Sequence, residues 1–372
     1  MTLFQRYAFR QALWPFLGAL AALGGLAVLT QSLSNLDLVA DQRDATWRLV
    51  WITLLAMPQV IALLIPVAVF IACAMAFNRL NSDSELIIGA AAGMSRRQRL
   101  TPFLRLAAYA ILLNLVINLF VQPASFRQMR EQVFEIRTDI AASLMRPGEF
   151  ISMGDGVSFY AREIGEDQVL RGVFIEDGRG AYATAYAARR AIIARSDRGP
   201  VMLLEDGVLT QLDEADTLSS LTFDRYEFDL GAFIDTSSAF FFKESDRFLP
   251  ELLRPSAADI ARARQAADLA AEGHYRLSSP LYSLAFALIA AAAFLSVEHR
   301  RTGYMRFILI AGASALLLRL IGFAVQAAAS GNTDLNALQY ATPLFGAAAA
   351  LWLIARPNRG ARQSRRRFAE AA

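Results

Sequence analysis

Residues 49–77 read LVWITLLAMPQVIALLIPVAVFIACAMAF, a run without a single charge. A helix needs roughly 20 mostly apolar residues to cross a bilayer core, so this stretch spans a membrane with length to spare. Pro58 and Pro66 lie inside it, and each removes a backbone donor, which predicts a tilted or kinked helix. A bend of this kind serves either movement or static packing.

Working outward, five more stretches meet the same test: 12–31 and 103–121 on either side, then 277–297, 306–327 and 338–355. Arg6 and Arg10 give the first the look of a signal peptide, but its apolar run is long for that role and further spans follow; it reads as a retained helix. The chain divides into residues 1–122 with three spans, a polar insert at 123–275, and residues 276–372 with three spans and a basic tail. The expected fold class is a membrane α-helical protein of six transmembrane helices with an inserted all-β domain.

Composition agrees. Of 372 residues, 55% are hydrophobic, and the mean hydropathy is +0.34. Cys73, the one cysteine, excludes an intrachain disulfide. Lys243 is the only lysine; every other basic side chain is arginine, which suits bidentate contact with phosphate, although genome composition is the plainer source of such a bias. Arginine placement orients the spans. With the N-terminus inside, the inner segments hold Arg6, Arg10, Arg79, Arg96, Arg97, Arg99, Arg300, Arg301, Arg306 and six arginines from Arg356 to Arg367, while the short outer loops hold Arg43 and Arg48. Both termini are therefore expected in the cytoplasm and the insert outside, which in a bacterium is the periplasm.

The insert begins with helical spacing over 124–144 and then alternates with period two: Val157 to Ala161, Val169 to Glu176, Ala191 to Arg195, Val201 to Glu205, Val208 to Asp213 and Leu218 to Leu230. Asp155-Gly156, Asp177-Gly178 and Asp206-Gly207 read as turns between them. Seven or more short strands predict a sandwich or jellyroll. No histidine lies between Pro123 and Gly273, so the commonest acid–base catalyst is missing, and the insert reads as a binding or docking module, one able to lend a sheet edge to a partner. Residues 256–272 predict a helix capped by Ser256 that leads into span four. Cys73, His274 and His299 show no ligand spacing, so no metal is expected.

Between spans two and three, Asn81–Ser95 reads NSDSELIIGAAAGMS. Ser82 and Glu85 fit a capping box, the helix would stop at Gly93, and Thr101-Pro102 would start the next span. Such a helix either caps a turn or presents Glu85 and an apolar side to a cytosolic protein. The chain itself cannot be a P-loop ATPase, because Lys243 sits between Phe242 and Glu244 and forms no Gly-Lys-Ser/Thr.

The run Phe77–Ser95, FNRLNSDSELIIGAAAGMS, closely resembles the coupling segment of the permease subunits of the bacterial lipopolysaccharide exporter, the LptF/LptG family. The resemblance extends along the whole chain, through the span positions, GVFIED at Gly172–Asp177 and RLSSPL at Arg276–Leu281, and around SDSE it is closer to LptF than to LptG. It implies a non-catalytic inner-membrane permease with a periplasmic β-jellyroll. The implied partners are a homologous LptG-like permease, a cytosolic LptB-like ATPase dimer that holds the ATP and Mg, and periplasmic LptC-like and LptA-like bridge proteins. Lipopolysaccharide is the implied cargo, with no nucleic acid and no cofactor on this chain. Carried over by position, Glu85 would seat in the ATPase, with Asp83, Leu86 and Gly93 completing the match, on a coupling helix at about 82–93.

Arg43 and Arg48 stand where the family offers lysines to lipid phosphates, and arginine binds the same groups. Arg319 lies well inside span five on a face with Gly312, Ala315, Gly322 and Gln326; it either attracts lipid phosphate near a gate that the family places between spans one and five, or it serves an internal ion pair or snorkels. Asn114, Asn118 and Gln122 read as helix-to-helix hydrogen bonding, and Gly18 with Gly25 as a close-packing stripe. Three functions compete: a lipid-transport subunit, a mechanotransmission permease that moves the outer domain without passing lipid, and a scaffold without an ATPase.

Overall fold

The 49–77 run lies in α2 (Ala45–Ser82), a helix of 38 residues with Pro58 and Pro66 inside it. The computed structural model describes residues 3–34, 45–132, 148–152, 156–165, 169–178, 183–196, 199–212, 218–229, 243–256, 266–296 and 304–356. Arg43, the Arg48 side chain, Arg300, Arg301, His299, the tail beyond Arg356, and most of the expected helices at 124–144 and 256–272 lie outside the described residues. The chain forms two units, Met1–Gln128 with Lys243–Ala372, and Met129–Phe242.

The first unit is helical. Before α2 comes α1 (Leu3–Ser34). After it come α3 (Glu85–Ala91) and α4 (Arg96–Val116), the latter continuing through a π-helical turn at Ile117–Val121 to Gln132. The chain returns through a 3₁₀ turn (Glu244–Asp246) and α5 (Leu249–Leu253), then α6 (Ala266–Ser278), α7 (Leu281–Leu295), α8 (Met305–Gly331) and α9 (Asn336–Ala355). Among the described residues, five helices are long and apolar enough to cross a membrane, and a sixth span follows if α6 and α7, bent by 44°, count as one.

The expected fourth span at 277–297 is therefore a broken helix. Pro280 supplies no N–H, so the chain turns at Ser279-Pro280, and α7 alone, at about 22 Å, falls short of a bilayer core of about 30 Å. α7 is also the centre of the bundle, with twelve of its fifteen residues buried. Stacked rings fasten it to its neighbours: Phe77 lies 3.8 Å from Phe103 and 5.7 Å from Phe294, which in turn stacks on Tyr304 at 5.1 Å. Among the described residues nothing packs on the expected stripe of α1, where a Cβ at Gly18 or Gly25 would meet no neighbour within 4 Å.

The second unit is one antiparallel sheet in which β1 (Phe150–Ser152), β2 (Val157–Ile164), β3 (Leu170–Asp177), β4 (Thr184–Ser196), β5 (Gly199–Leu212) and β6 (Leu218–Asp229) pair in chain order. A jellyroll closes by crossovers between non-consecutive strands; the described strands form a meander.

Asp206-Gly207 is not a turn but the middle of β5, and the reason is a crease across the sheet. Residues Glu163, Arg171, Arg190, Glu205 and Arg225 stand opposite one another on β2 to β6. On each side of this charged row the apolar positions face the same core: Leu170 before it and Val173 and Ile175 after it on β3, Tyr186 and Ala188 before it and Ala191 after it on β4. Alternation slips by one residue there, and positive φ at Gly172 (62°) and Asp206 (53°) absorbs the slip. Arg190 and Arg225 lie 3.7 and 3.1 Å from Glu205. A Cβ on Gly207 would collide with the Phe223 ring and the Ala187 carbonyl. Gly207→Val is accordingly expected to destabilise the sheet by about 1–3 kcal/mol, read as a lower unfolding midpoint of the purified full chain.

Candidate functional site

The helix expected over Asn81–Ser95 is present but begins elsewhere. α2 runs on through Ser82, whose hydroxyl donates to the Asn78 carbonyl at 2.9 Å, and α3 starts after Ser84, a left-handed residue (φ 59°) with no side-chain cap. The capping box belongs to α4: the Gln98 N–H donates to Ser95 Oγ at 3.2 Å, and the Ser95 N–H to Gln98 Oε1 at 2.8 Å. Helix α4 thus starts five residues before Thr101-Pro102, and Pro102 sits inside it. The stop of α3 is as expected. Gly93 (φ 82°) donates to Ala90 and Met94 donates to Gly89, the paired bonds of a Schellman motif.

This geometry sorts the coupling residues. Leu86 and Gly89 face inward, and the Leu86 carbonyl accepts from Arg99 Nη1 at 3.4 Å. Ile87 and Ile88 face outward, 37% and 64% exposed. Asp83 is exposed beside Arg79 at 3.9 Å. Freed from capping, Glu85 accepts from the Tyr7 hydroxyl at 3.1 Å, and Tyr7 accepts from Gln11 Nε2 at 2.9 Å, so α1 orients the carboxylate. Tyr7 had no motif to mark it in the sequence.

At the other end of α4 the buried asparagines answer a need that prolines create. Pro66 leaves the Ala62 carbonyl without its helical donor, and Asn114 Nδ2 supplies one at 2.8 Å. Pro280 does the same to the Arg276 carbonyl, which Asn118 Nδ2 approaches at 3.4 Å while also facing Ser279 Oγ at 3.0 Å and Asn114 Oδ1 at 2.9 Å. In a bilayer an unsatisfied carbonyl costs several kcal/mol, so the ladder is a requirement of the two breaks.

Below it sits a clasp. Arg276, 1% exposed, donates to Glu272 Oε1 at 2.8 Å and to the carbonyls of Arg247, Glu244 and Ser245 at 2.6, 3.0 and 2.8 Å. Arg127, on the continuation of α4, donates to the Asp246 carbonyl at 2.9 Å and to Glu251 Oε2 at 2.6 Å.

Arg319 lies at the inner face of α8, 7% exposed, with Ala315 and Gly322 buried beside it, as its sequence face implies. Its surroundings are aromatic. The guanidinium is 4.6 Å from the ring centroids of Tyr282 and Phe323 and 5.8 Å from that of Tyr275, whose hydroxyl accepts from Nη2 at 2.9 Å. Gly322 is what lets Tyr282 approach, since a Cβ there would overlap its hydroxyl. Neither Asp nor Glu is among the partners of its guanidinium in the described residues. Between α7, α8 and α9 lies an apolar cleft of about 420 Å³, lined by Ile289, Phe307, Ile310, Leu318, Phe345 and Leu353 among others.

Comparison with known proteins agrees with this architecture. A family described as lipopolysaccharide export system permease LptF/LptG matches residues 6–356. The uncharacterized protein RP871 of Rickettsia prowazekii (strain Madrid E) is 24% identical over 307 residues, covering 82% of this chain and 85% of the relative. The match takes in both groups of membrane helices, the sheet and the α3 segment alike: the chain belongs to the LptF/LptG family of lipopolysaccharide export permeases.

Proposed function

We propose that the chain is the LptF-like subunit of an inner-membrane exporter, with α3 and both termini cytoplasmic and the sheet in the periplasm. It pairs with an LptG-like permease and draws its energy from an LptB-like ATPase dimer that carries ATP and Mg. The observation that carries this reading is the presentation of α3: Leu86 and Gly89 anchor it, while Asp83, Ile87 and Ile88 are exposed beside an oriented Glu85. A short amphipathic helix with an acidic side chain at its start suits a groove on a partner.

In this scheme lipopolysaccharide enters sideways between spans one and five, Arg319 with Arg43 and Arg48 attracts its phosphates, and the apolar cleft has room for acyl chain. The sheet, which on this reading belongs to a periplasmic jellyroll, passes the lipid to LptC-like and LptA-like proteins. A mechanical reading, in which the bundle moves the outer domain without passing lipid, is favoured by one feature, the double clasp on the returning turn at 244–247.

Purification from native membranes in mild detergent is expected to recover an ATPase, a second permease and lipopolysaccharide together. Glu85→Ala and Ile88→Asp are each expected to lower ATPase recovery at least tenfold, leaving the second permease bound. Unchanged recovery would favour a scaffold.

A further inference from the structure

Helix α4 and its continuation form one column from Arg96 to Gln132, about 55 Å long. Its start is capped by the Ser95–Gln98 box and tied to α3 by Arg99 on the Leu86 carbonyl. Its far end grips the turn 244–247 directly through Arg127. A second connection runs through Asn118 to the α6–α7 break and from there through Arg276 to the three remaining carbonyls of the same turn.

Asn118 is the least committed joint on this route. Its amide nitrogen has two hydrogens and faces three acceptors, Asn114 Oδ1, Ser279 Oγ and the Arg276 carbonyl. With Asn114 taking one hydrogen, the other is shared between Ser279 and Arg276, and Pro280 keeps the Arg276 carbonyl permanently open to it. A small shift of α4 along its axis exchanges one acceptor for the other. The π-helical turn at Ile117–Val121 places Asn118 where the column is least regular, a feature often found at functional positions.

We propose that Asn118 is a positioning residue that transmits movement of α4 to the α6–α7 break and hence to the turn 244–247. This rests on the reading in which α3 docks an ATPase. The energetic demand is modest, because a single interhelical hydrogen bond in a membrane contributes little on its own, so exchange between acceptors is readily driven by a motor.

The test is hydrogen–deuterium exchange on the intact complex in lipid nanodiscs, with ADP and with a non-hydrolysable ATP analogue. The wild type is expected to show nucleotide-dependent exchange both at 85–95 and at 244–253 with 271–283. Asn118→Leu is expected to keep the first change, lose the second, hydrolyse ATP at no less than half the wild-type rate and release lipid at least fivefold more slowly. Ser279→Ala should give a weaker form of the same split and add nothing to Asn118→Leu, and Asn118→Thr, which restores a donor, should recover part of it. Retention of the second change in Asn118→Leu overturns the proposal. If that variant does not assemble, Ser279→Ala decides: a second change undiminished from the wild type overturns the proposal. Failure of Glu85→Ala to weaken ATPase docking, or no wild-type change at 85–95, sinks the docking reading and this proposal with it; intact docking with the second change retained sinks the proposal alone.

Discussion

Arg276→Met is expected to remove most of the chain's stability. The substitution keeps the aliphatic stem but deletes four hydrogen bonds, taking the Arg276 donor away from the carbonyls of Glu244, Ser245 and Arg247 and from the Glu272 carboxylate. Breaking a buried ion pair from one side costs about 3–5 kcal/mol, and each orphaned carbonyl adds to it. Against a total of about 5–15 kcal/mol this leaves little margin. The measurements are membrane level of the tagged chain and its unfolding midpoint in detergent. Arg276→Lys should fall between, since an ammonium keeps the charge but cannot span three carbonyls. Combining Arg276→Met with Glu272→Gln should recover part of the loss by removing the stranded charge. An unchanged midpoint in Arg276→Met would mean that the clasp adds nothing.

That clasp marks a boundary of what the sequence makes legible. The spans of α2, α4, α8 and α9 follow from apolar length alone, since a bilayer tolerates few other readings of such runs. Span four does not, because Pro280 lies within the apolar stretch and hydropathy is blind to a bend. Asn114 and Asn118 are visible as polar residues one turn apart; that they serve Ala62 and Arg276 becomes readable only once Pro66 and Pro280 are counted four residues on.

The strands are legible as alternation, but the crease divides β5 into two readings at the charged row, where Asp206-Gly207 has turn chemistry inside a paired strand, and it hides the first half of β4, Thr184 to Arg190, from that alternation. The capping box of Ser82 and Glu85 was outcompeted by tertiary context. Helix α2 had reason to continue, and the same pattern of cap and partner stood thirteen residues later at Ser95 and Gln98. Arg127 and Arg276 had only charge to show, and long-range carbonyl contacts leave no local spacing.

Arg319→Gln carries the second large effect, and it separates a lipid contact from a structural brace. Arg319 is about 20 Å from either end of α8, where a charge costs about 2.5–3.5 kcal/mol to place. The rings of Tyr275, Tyr282 and Phe323 and one hydrogen bond offset this, since a desolvated cation–π contact contributes about 2 kcal/mol. The lost ring contacts and the relieved placement cost act in opposite directions, so exchanging the cation for a neutral amide should change the unfolding midpoint far less than it changes contact with the lipid. Aromatic faces leave the positive charge un-neutralised, which a carboxylate would not. On the proposed function, an anionic headgroup arriving between spans one and five would therefore meet a full charge in a low-dielectric setting. Lipid photocrosslinked beside this position is expected to fall at least tenfold in Arg319→Gln, while Arg319→Lys keeps a measurable fraction and Tyr275→Phe leaves the charge and most of the crosslinking. If stability falls in step with crosslinking, Arg319 braces α8 against α6 and α7. If neither changes, it does not contact the cargo.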